Sequence, residues 1–435
     1  MSLFLRSIKN VKKLHFRSIA TNSSYAAKPL LTVDLTKPPF EQPIPLHNRW
    51  HPDIPPIVSV KPGEIFRVEC VDWTGGQIQN SDIADDVKNV DLTQIHYLTG
   101  PIEVNGAKPG DVLIVDILDV GPLARCMWGF TGIFDHANGG GFLTDYYKEA
   151  RKAIWDFSGI YATSRHIEGV RFAGLTHPGL IGCAPSQKLL DQWNRREQEL
   201  ISSHQCKNKS HIVAQPPQEK GSLLGTIDRQ SSLWKRVANE GARTIPPREH
   251  GGNCDIKNIS RGSKIYFPVY VDGARLSVGD IHFSQGDGEI SFCGAIEMSG
   301  YVDMHIQVMK DGMNKLKMKN PLFQPGPVEP RYSKCVTFQG ISVDDNGKQY
   351  FLDANVAYMQ ACLSAIRYLT RFGYTEEQAY LILSAAPIEG RISSIVDIPN
   401  ACCTLTLPAD IFSFDIQPEA IPETKARGVL AKTTK

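Results

Sequence analysis

The chain has 435 residues, of which 42% are hydrophobic and 21% are charged, and its formal net charge is +1. This composition is typical of a soluble globular protein with room for two or three domains of ordinary size. The near-neutral charge argues against a broad nucleic-acid-binding surface, and no apolar run approaches the roughly 18 residues of a membrane-spanning helix. The ten cysteines form no CxxC motif, so neither a zinc ribbon nor a redox dithiol is predicted.

The N-terminal stretch differs in composition from the rest of the chain. Residues 1–33 contain no Asp or Glu, but they include several Lys, Arg and Ser residues. Wound as a helix, this stretch places Arg6, Lys9, Lys13 and Arg17 in one basic stripe. A basic, acid-free and amphipathic stretch predicts a mitochondrial transit peptide over residues 1–27. The alternative is a basic tail without a targeting role, which would leave the protein in the cytoplasm.

From residue 57 the sequence predicts strands and turns. VSVKPGEIFRVECVD and NGAKPGDVLIVDILDV share a K-P-G-acid turn followed by an apolar strand, and residues 261–298 form a looser third copy. Proline sets the first turn dihedral and glycine supplies the unusual one, so each turn is specified locally. Short strands between such turns predict a mainly β fold of the sandwich or barrel type.

Helices are predicted in two parts of the chain. Ser186 caps a helix that runs to residue 200, and the polar stretch 202–221 that follows is predicted to be an exposed insertion. Asp353 caps a second helix, which Gly373 ends, and Thr375 with Gln378 forms a capping box for a third. Residues 128–147 are rich in glycine and aromatics and predict a folded loop. Residues 421–435 are predicted to be a polar tail.

The densest group of polar residues lies between residues 249 and 297. Because side chains alternate along a strand, Asp280 and His282 share one face, and Asp287 and Glu289 share a face if that segment is extended. Clustered carboxylates repel one another and resist burial unless a cation or bound protons compensate. We therefore predict a divalent metal held by Asp255, Asp280 and His282. Mixed imidazole and carboxylate ligands favour zinc, whereas an all-oxygen set would favour calcium or magnesium.

A polar turn without chemistry is the alternative interpretation. Turns rich in Asp and Gly are common, and they are often held only by hydrogen bonds or by a structural calcium ion. His282 alone could be a buried histidine with ordinary hydrogen-bond partners. No GxGxxG or Walker motif opens a helix in the glycine-rich stretch 128–147, so neither a phosphate-binding loop nor an organic cofactor is predicted.

Three segments resemble the acetamidase/formamidase family: TGPIEVNGAKPGD, PREHGGNCDIKNISRGSKIYFPVYVDGA and LSVGDIHFSQGDGEISFCGAIEMSGY. The unbroken PPREHGGN and the insertion at 202–221 look more like the eukaryotic formamidase branch than bacterial acetamidases. The resemblance implies a β-rich catalytic unit over residues 28–420, with sandwich and barrel units, flanking α/β parts and homo-oligomeric assembly. It also implies hydrolysis of formamide to formate and ammonia, with an acetamidase-type short-chain amidase as the alternative.

Amide hydrolysis needs an activated nucleophile, a stabilised oxyanion and an acid for the leaving ammonia. In our hypothesis the metal activates water, Glu289 acts as base and then as acid, and Asp287 is the next candidate for that role. Gln285 or Asn253 would donate to the oxyanion.

Two other interpretations fit the same sequence. A cysteine acyl-enzyme would use Cys183 or Cys293 as the nucleophile. A protein of another class, a non-catalytic metal- or sugar-binding β-sandwich, would hold the same carboxylates on exposed loops.

Overall fold

The two K-P-G turns begin strands as predicted. Gly63 and Gly110 have φ angles of +96° and +92°, values that glycine adopts without the strain a side chain would cause. In the computed structural model, which describes residues 27–203, 216–327 and 331–434, these turns lead into two strands of one sheet. The predicted transit peptide, apart from its last residue, and most of the predicted insertion lie outside the described residues.

The described part of the chain is mostly β. Its strands, in chain order, are β1 (Lys28–Leu31), β2 (Leu46–His47), β3 (Arg49–Trp50), β4 (Val58–Val60), β5 (Ile65–Cys70), β6 (Leu98–Val104), β7 (Val112–Pro122), β8 (Trp128–Ile133), β9 (Arg151–Ser158), β10 (Tyr161–Ser164), β11 (Ile167–Ala173), β12 (His177–Cys183), β13 (Ala242–Arg243), β14 (Pro247–Arg248), β15 (Gly251–Asn253), β16 (Lys264–Pro268), β17 (Leu276–Gln285), β18 (Phe292–Met298), β19 (Gly300–Met309), β20 (Leu322–Gln324), β21 (Cys335–Ile341), β22 (Glu389–Ser394), β23 (Cys402–Pro408) and β24 (Ala431–Lys432).

These strands form four sheets. One has six strands in the order β1-β5-β19-β7-β16-β20, and the largest has thirteen, with the main path β11-β10-β9-β8-β18-β17-β12-β15-β14. A two-stranded sheet pairs β13 with β3, and a three-stranded sheet has the order β21-β23-β22. The mainly β fold with flanking α/β parts is therefore confirmed.

The predicted helix caps are confirmed. The helices are α1 (Asp85–Lys88), α2 (Gln187–Ser202), α3 (Ser232–Glu240), α4 (Gly312–Lys315), α5 (Ala354–Leu369) and α6 (Glu376–Ala385). Ser186 accepts from the backbone N–H of Leu189, Asp353 caps α5, and Thr375 forms the capping box of α6. No helix in the described ranges is long and apolar enough to cross a membrane.

Two segments differ from the sequence predictions. The start of the predicted loop 128–147 is strand β8, because its apolar residues continue the large sheet. The predicted polar tail is not free of the fold: β24 pairs with β9, and Leu430 and Ala431 are buried against the body. Burial of this apolar pair is favourable enough to attach an otherwise polar segment.

The core lies between the two large sheets, and β17 runs through its middle. All ten residues of β17 are buried, although they include Asp280, His282 and Gln285. Polar side chains in such a place must satisfy one another, because water cannot reach them freely. The fold thus collects the polar residues of β17 and its neighbours into one buried cluster.

Candidate active site

Strand pairing brings the predicted metal residues together. Asp280 and His282 project from the same side of β17, as the alternation predicted, and His282 lies opposite Glu297 on β18. The Nε2 atom of His282 is 3.1 Å from Oδ1 of Asp280 and 3.1 Å from Oε2 of Glu297. Asp255, which follows β15, completes the group of Asp255, Asp280 and His282 whose ligand atoms all lie within 4.8 Å of one another.

A second group shares the same histidine. The ligand atoms of His282, Glu289 and Glu297 also lie within 4.8 Å of one another. Glu289 belongs to the connection between β17 and β18. Four carboxyl groups therefore lie around the imidazole of His282.

The other ring nitrogen of His282 is held by hydrogen bonds. Its Nδ1 lies 3.0 Å from Oε1 of Gln285 and 3.2 Å from Nε2 of His177. Gln285 donates from Nε2 to the backbone oxygen of Asp255 at 2.6 Å, which fixes its amide orientation. Nδ1 of His177 lies 2.7 Å from the carbonyl oxygen of Leu175, to which it donates. While the ring is neutral, its other nitrogen, Nε2, carries no proton and can only accept a hydrogen bond. His282 therefore donates from Nδ1 and turns Nε2 toward the carboxylates.

Burial and neighbouring charges shift the pKa values of the four carboxyl groups in different directions. Burial, together with the neighbouring Asp280, raises the pKa of Asp255 to about 7. Burial raises the pKa of Glu297 to about 8 and the pKa of Glu289 well above its usual range. Burial also acts on Asp280, but the charge and hydrogen bond of His282 outweigh it and lower the pKa. The four carboxyl groups cannot all be charged unless further positive charge is present.

Two observations show that the cluster fits a cation. Oδ1 of Asp255 is buried without a hydrogen-bond partner, and buried Oε2 of Glu297 has His282 Nε2, at 3.1 Å, as its one close polar neighbour among the described residues, so both oxygens keep a lone pair for a cation. A Cβ atom placed on Gly179 would lie 2.6 Å from Cε1 of His282 and 2.8 Å from carboxylate oxygens of Asp255 and Asp280. The absence of a side chain at Gly179 keeps this space open. One imidazole nitrogen with several carboxylate oxygens is a donor set that zinc accepts.

The cluster opens onto a cavity of about 330 Å³. Most of the wall is apolar, and it also carries three buried polar atoms without partners: Nε1 of Trp73, Nδ1 of His96 and Oδ1 of Asn253. Apolar pockets with a few placed polar groups are typical of small-molecule sites. The apolar lining residues are Ile95, Phe142, Ile245, Pro247 and Phe292.

Left-handed backbone is concentrated around this cavity. Five of its lining residues other than glycine have positive φ: Asp255, Asp280, Glu289, His96 and Phe292. Such conformations cost free energy for residues with a side chain, and they persist where the surrounding fold enforces them. The backbone conformation of the site is therefore imposed by the surrounding fold and not by the intrinsic preferences of these residues.

The other sequence-predicted residues have different positions from those expected. Asn253 lines the cavity, but its Nδ2 donates to the carbonyl of Ile245 at 3.0 Å, so it presents an acceptor where we expected an oxyanion donor. Gln285 lies behind His282 and does not line the cavity. Its amide holds His282 and Asp255, which corrects the predicted oxyanion role.

Asp287 lies outside the cluster. It forms an ion pair with Lys257 and accepts from the backbone N–H of Gly390 at 2.9 Å. Asp287 and Glu289 were expected to share a face only if their segment was extended, and residues 286–289 instead form a turn. The turn sends Glu289 into the cluster and Asp287 away from it.

The cysteine hypothesis is not supported by the positions of the thiols. Cys183 and Cys293 are fully buried, and burial raises the pKa of both thiols far above the usual range. Neither thiol lines the cavity. Cys254 does, but burial raises its pKa to about 12, so little reactive thiolate forms near neutral pH.

Sequence reasoning missed four residues of the site. Glu297 was part of the polar stretch but had no assigned role, and only the register opposite His282 reveals one. His177 stands directly opposite His282 on β12. Trp73 and His96 are far from the cluster in sequence, and nothing near them in the chain indicates a site.

Comparison with known proteins gives consistent results. Residues 32–414 match the profile described as the acetamidase/formamidase family. A formamidase of Methylophilus methylotrophus is 58% identical over 393 residues, which cover 90% of this chain and 96% of that protein. An acetamidase of Mycolicibacterium smegmatis is 56% identical and covers 83% of this chain and 90% of its own. The solved structure of a γ-lactamase from Delftia acidovorans is 54% identical, with a TM-score of 0.91 over 94% of this chain and 100% of that chain.

Proposed function

The chain belongs to the acetamidase/formamidase family and is a hydrolase of linear amides, and we propose that it acts as a formamidase that converts formamide and water to formate and ammonia. The observation that carries the proposal is the His282 cluster, an acid-rich group that faces an apolar cavity within a chain 58% identical to a formamidase. Family membership excludes the hypothesis of a non-catalytic binding sandwich.

We propose that Asp255, Asp280 and His282 hold a divalent cation, with zinc as the first choice and calcium or magnesium as alternatives. The unpartnered Oδ1 of Asp255 and the open space at Gly179 support this assignment. Such a cation would polarise the amide carbonyl and lower the pKa of water at the site. Its positive charge would also allow the neighbouring carboxyl groups to ionise together.

Glu289 is the residue we assign to proton transfer. Its carboxyl group lies within the cluster, and burial raises its pKa well above the usual range, whereas the charge of a bound cation would favour the carboxylate form that can accept a proton. It would take a proton from the attacking water and deliver it to the amide nitrogen, which leaves as ammonia. Formate keeps the carbonyl carbon and the water oxygen, so the step balances without another reactant.

The unpaired atoms of the wall supply contacts to the amide. Oδ1 of Asn253 can accept an N–H of the substrate, and Nε1 of Trp73 can donate to an oxygen. Together they would distinguish the two ends of an amide group. Formamide has three heavy atoms, so its binding free energy is limited to about 4.5 kcal/mol, and a millimolar dissociation constant is expected.

Cavity size favours a second candidate substrate class. The cavity has a volume of about 330 Å³. A formamide molecule occupies roughly twice the ~30 Å³ of a liquid water molecule, so the cavity is several times larger than this substrate. A γ-lactamase is 54% identical with a TM-score of 0.91, so a cyclic amide is the second candidate.

Two assays on purified protein test the two candidates: ammonia release for the linear amides and ring opening for the lactam, which releases no ammonia. Formamide, acetamide, propionamide and a γ-lactam would be supplied at equal concentration, and ring opening would be followed by chromatography. We expect formamide to react fastest. Equal rates for the linear amides would reject the preference, and faster lactam opening would favour the second candidate.

Two further properties remain predictions of the sequence. We propose that residues 1–27 direct the protein to mitochondria, which rests on their basic, acid-free composition. We also propose assembly with further copies of the chain, which the family resemblance implies.

A further inference from the structure

A second cavity lies apart from the catalytic one. Its volume is about 480 Å³, and no described residue lines both cavities. The turn at residues 286–289 contacts both: Glu289 lines the first, and Asp287 pairs with Lys257 in the wall of the second. We call the second one the basic cavity, after Lys257, Arg331 and Arg391 in its wall.

One wall of the basic cavity is a face of the three-stranded sheet. Cys335 on β21 pairs with Pro408 on β23, and Glu389 on β22 pairs with Thr406 on β23. Residues two apart on a strand project to the same face, so Arg391 shares the face of Glu389. All five residues line the cavity, and the register of the sheet therefore fixes their positions relative to one another.

Positive charge exceeds negative charge around the basic cavity. Its wall carries Lys257, Arg331 and Arg391. The wall has one carboxylate, Glu389, which pairs with Arg391. Asp287 is not among the lining residues, but it pairs with Lys257. Even with Asp287 counted, one positive charge is left over, and a concave surface with a surplus of one sign attracts ligands of the opposite sign.

An unpaired hydroxyl group adds a hydrogen-bond donor to the same wall. Oη of Tyr332 is buried and has no hydrogen-bond partner among the described residues. A buried polar atom without a partner costs free energy, and an oxygen of a ligand would remove that cost. Leu175, Pro387 and Pro408 contribute an apolar part. The basic cavity therefore offers cationic and hydroxyl donors beside an apolar surface.

We propose that the basic cavity binds a small organic anion, in which a carboxylate or phosphate group is carried on a short apolar body. The guanidinium groups of Arg331 and Arg391 suit both oxyanions, because each presents paired N–H donors. Lys257 donates to Asp287 and, at 2.7 Å, to the carbonyl of Ile388. An ammonium group has three N–H donors, so Lys257 can also donate to the ligand. The site does not depend on the amidase reaction.

The thiol of Cys335 provides a local reporter of occupancy. Cys335 is exposed and lines the basic cavity, whereas Cys126 lines neither cavity. The purified full-length protein would be alkylated with N-ethylmaleimide, and peptide mass spectrometry would follow each thiol. Butyrate and butyl phosphate should each slow the alkylation of Cys335 at least threefold at saturation. Cys126 should react at an unchanged rate, and uncharged butanol should not protect Cys335.

Charge variants test which groups hold the anion. Arg331→Gln/Arg391→Gln should raise the half-protecting concentration of butyrate at least tenfold, because two charge-assisted hydrogen-bond donors are lost. Glu389→Gln should lower that concentration, since it removes the one carboxylate among the lining residues. Arg367→Gln is the matched control, because Arg367 is an arginine outside the cavity that pairs with Asp345. Circular dichroism verifies that each variant is folded.

The two anions also identify the preferred head group. A lower half-protecting concentration for butyl phosphate would assign the phosphate group, and the reverse order would assign the carboxylate. Failure of both anions to protect Cys335, or equal protection by butanol, would overturn the proposal. Unchanged protection in Arg331→Gln/Arg391→Gln would contradict it as well, because the anion would then be held by other groups.

Discussion

The Nδ1 atom of His282 lies 3.0 Å from Oε1 of Gln285, and this contact turns the other ring nitrogen toward Asp280 and Glu297. A histidine that ligates a metal usually donates its second N–H to a fixed acceptor, which sets the tautomer and the ring orientation. Gln285 is therefore a positioning residue, although its sequence context had indicated a direct role in the reaction.

Replacing Gln285 should lower the zinc affinity of the site without changing the residues that line the cavity. Gln285→Met removes the acceptor and releases the backbone oxygen of Asp255, so we expect zinc affinity to fall about 10–100-fold. Turnover should fall at limiting zinc and recover when zinc is added in excess. Gln198→Met, on an exposed face of α2, is the control. An unchanged zinc affinity in Gln285→Met would show that the hydrogen bond does not position His282.

Gly179 provides a steric test of the cation space. Gly179→Ala places a Cβ within 2.8 Å of two carboxylate oxygens and 2.6 Å from Cε1 of His282, which is too close without displacement. We expect at least a 10²-fold loss of activity together with loss of bound metal, because small displacements at a reacting centre are costly. Gly132→Ala is the matched control in the same large sheet, since its nearest neighbour would be 3.4 Å away. Equal effects of the two variants would contradict this reading of Gly179.

Acid should destabilise the fold through buried neutral histidines. Burial lowers the pKa of His47 to about 4, whereas the unfolded value is 6.5. Between these two values the unfolded chain binds more protons, so stability decreases as the pH falls. At pH 5, His47 alone should lower the free energy of unfolding by about 2 kcal/mol relative to a pH at which it is neutral in both states.

His250 offers a variant that tests the same effect. Its ring lies between Trp50 and Trp193, with centroid distances of 4.5 and 4.6 Å, and neither ring nitrogen has a hydrogen-bond partner. Burial, with a smaller contribution from Arg248, lowers its pKa well below the usual value. His250→Phe should keep the packing and reduce the loss of stability between pH 7 and pH 5. Urea unfolding at the two pH values measures it, and an unchanged difference would contradict the prediction.

The N-terminal prediction has a simple cellular test. A fluorescent protein fused after residues 1–30 should enter mitochondria, because the stretch is basic and contains no acidic residue. Deleting residues 1–26 should leave amidase activity intact, since the polar stretch has little to contribute to the core. A diffuse cytosolic signal would reject the targeting role.

Part of the site could be predicted from local pattern. The alternation along β17 placed Asp280 and His282 on one face, and the acid-rich sequence indicated a cation. The turn at residues 286–289 could not be predicted, because it depends on the positive φ of Gly288 and Glu289. That conformation sends Glu289 to the cluster and Asp287 to Lys257.

Contacts between distant strands account for the rest. Glu297 acquires its role only through the register of β18 with β17, and Trp73 and His96 reach the cavity from segments about 200 residues earlier in the chain. No local rule connects such segments. The fold class was easier to predict from the sequence, because the K-P-G turns and the helix caps are specified by neighbouring residues.

The assignment of Glu289 is the central chemical claim. Glu289→Gln keeps the size of the side chain but removes its ability to transfer a proton, so turnover should fall roughly 10²–10⁴-fold while metal is retained. Asp287→Asn is the matched control two residues away. It should lower stability, because Lys257 is buried and loses its ionic partner while keeping its hydrogen bond to the carbonyl of Ile388, yet change turnover less than tenfold.

Steady-state turnover of formamide by these two variants, with metal content measured on the same samples, tests the account most directly. We predict a metal-loaded and nearly inactive Glu289→Gln protein beside an active Asp287→Asn protein. Normal turnover by Glu289→Gln, or full activity of a metal-free wild-type protein, would contradict the mechanism.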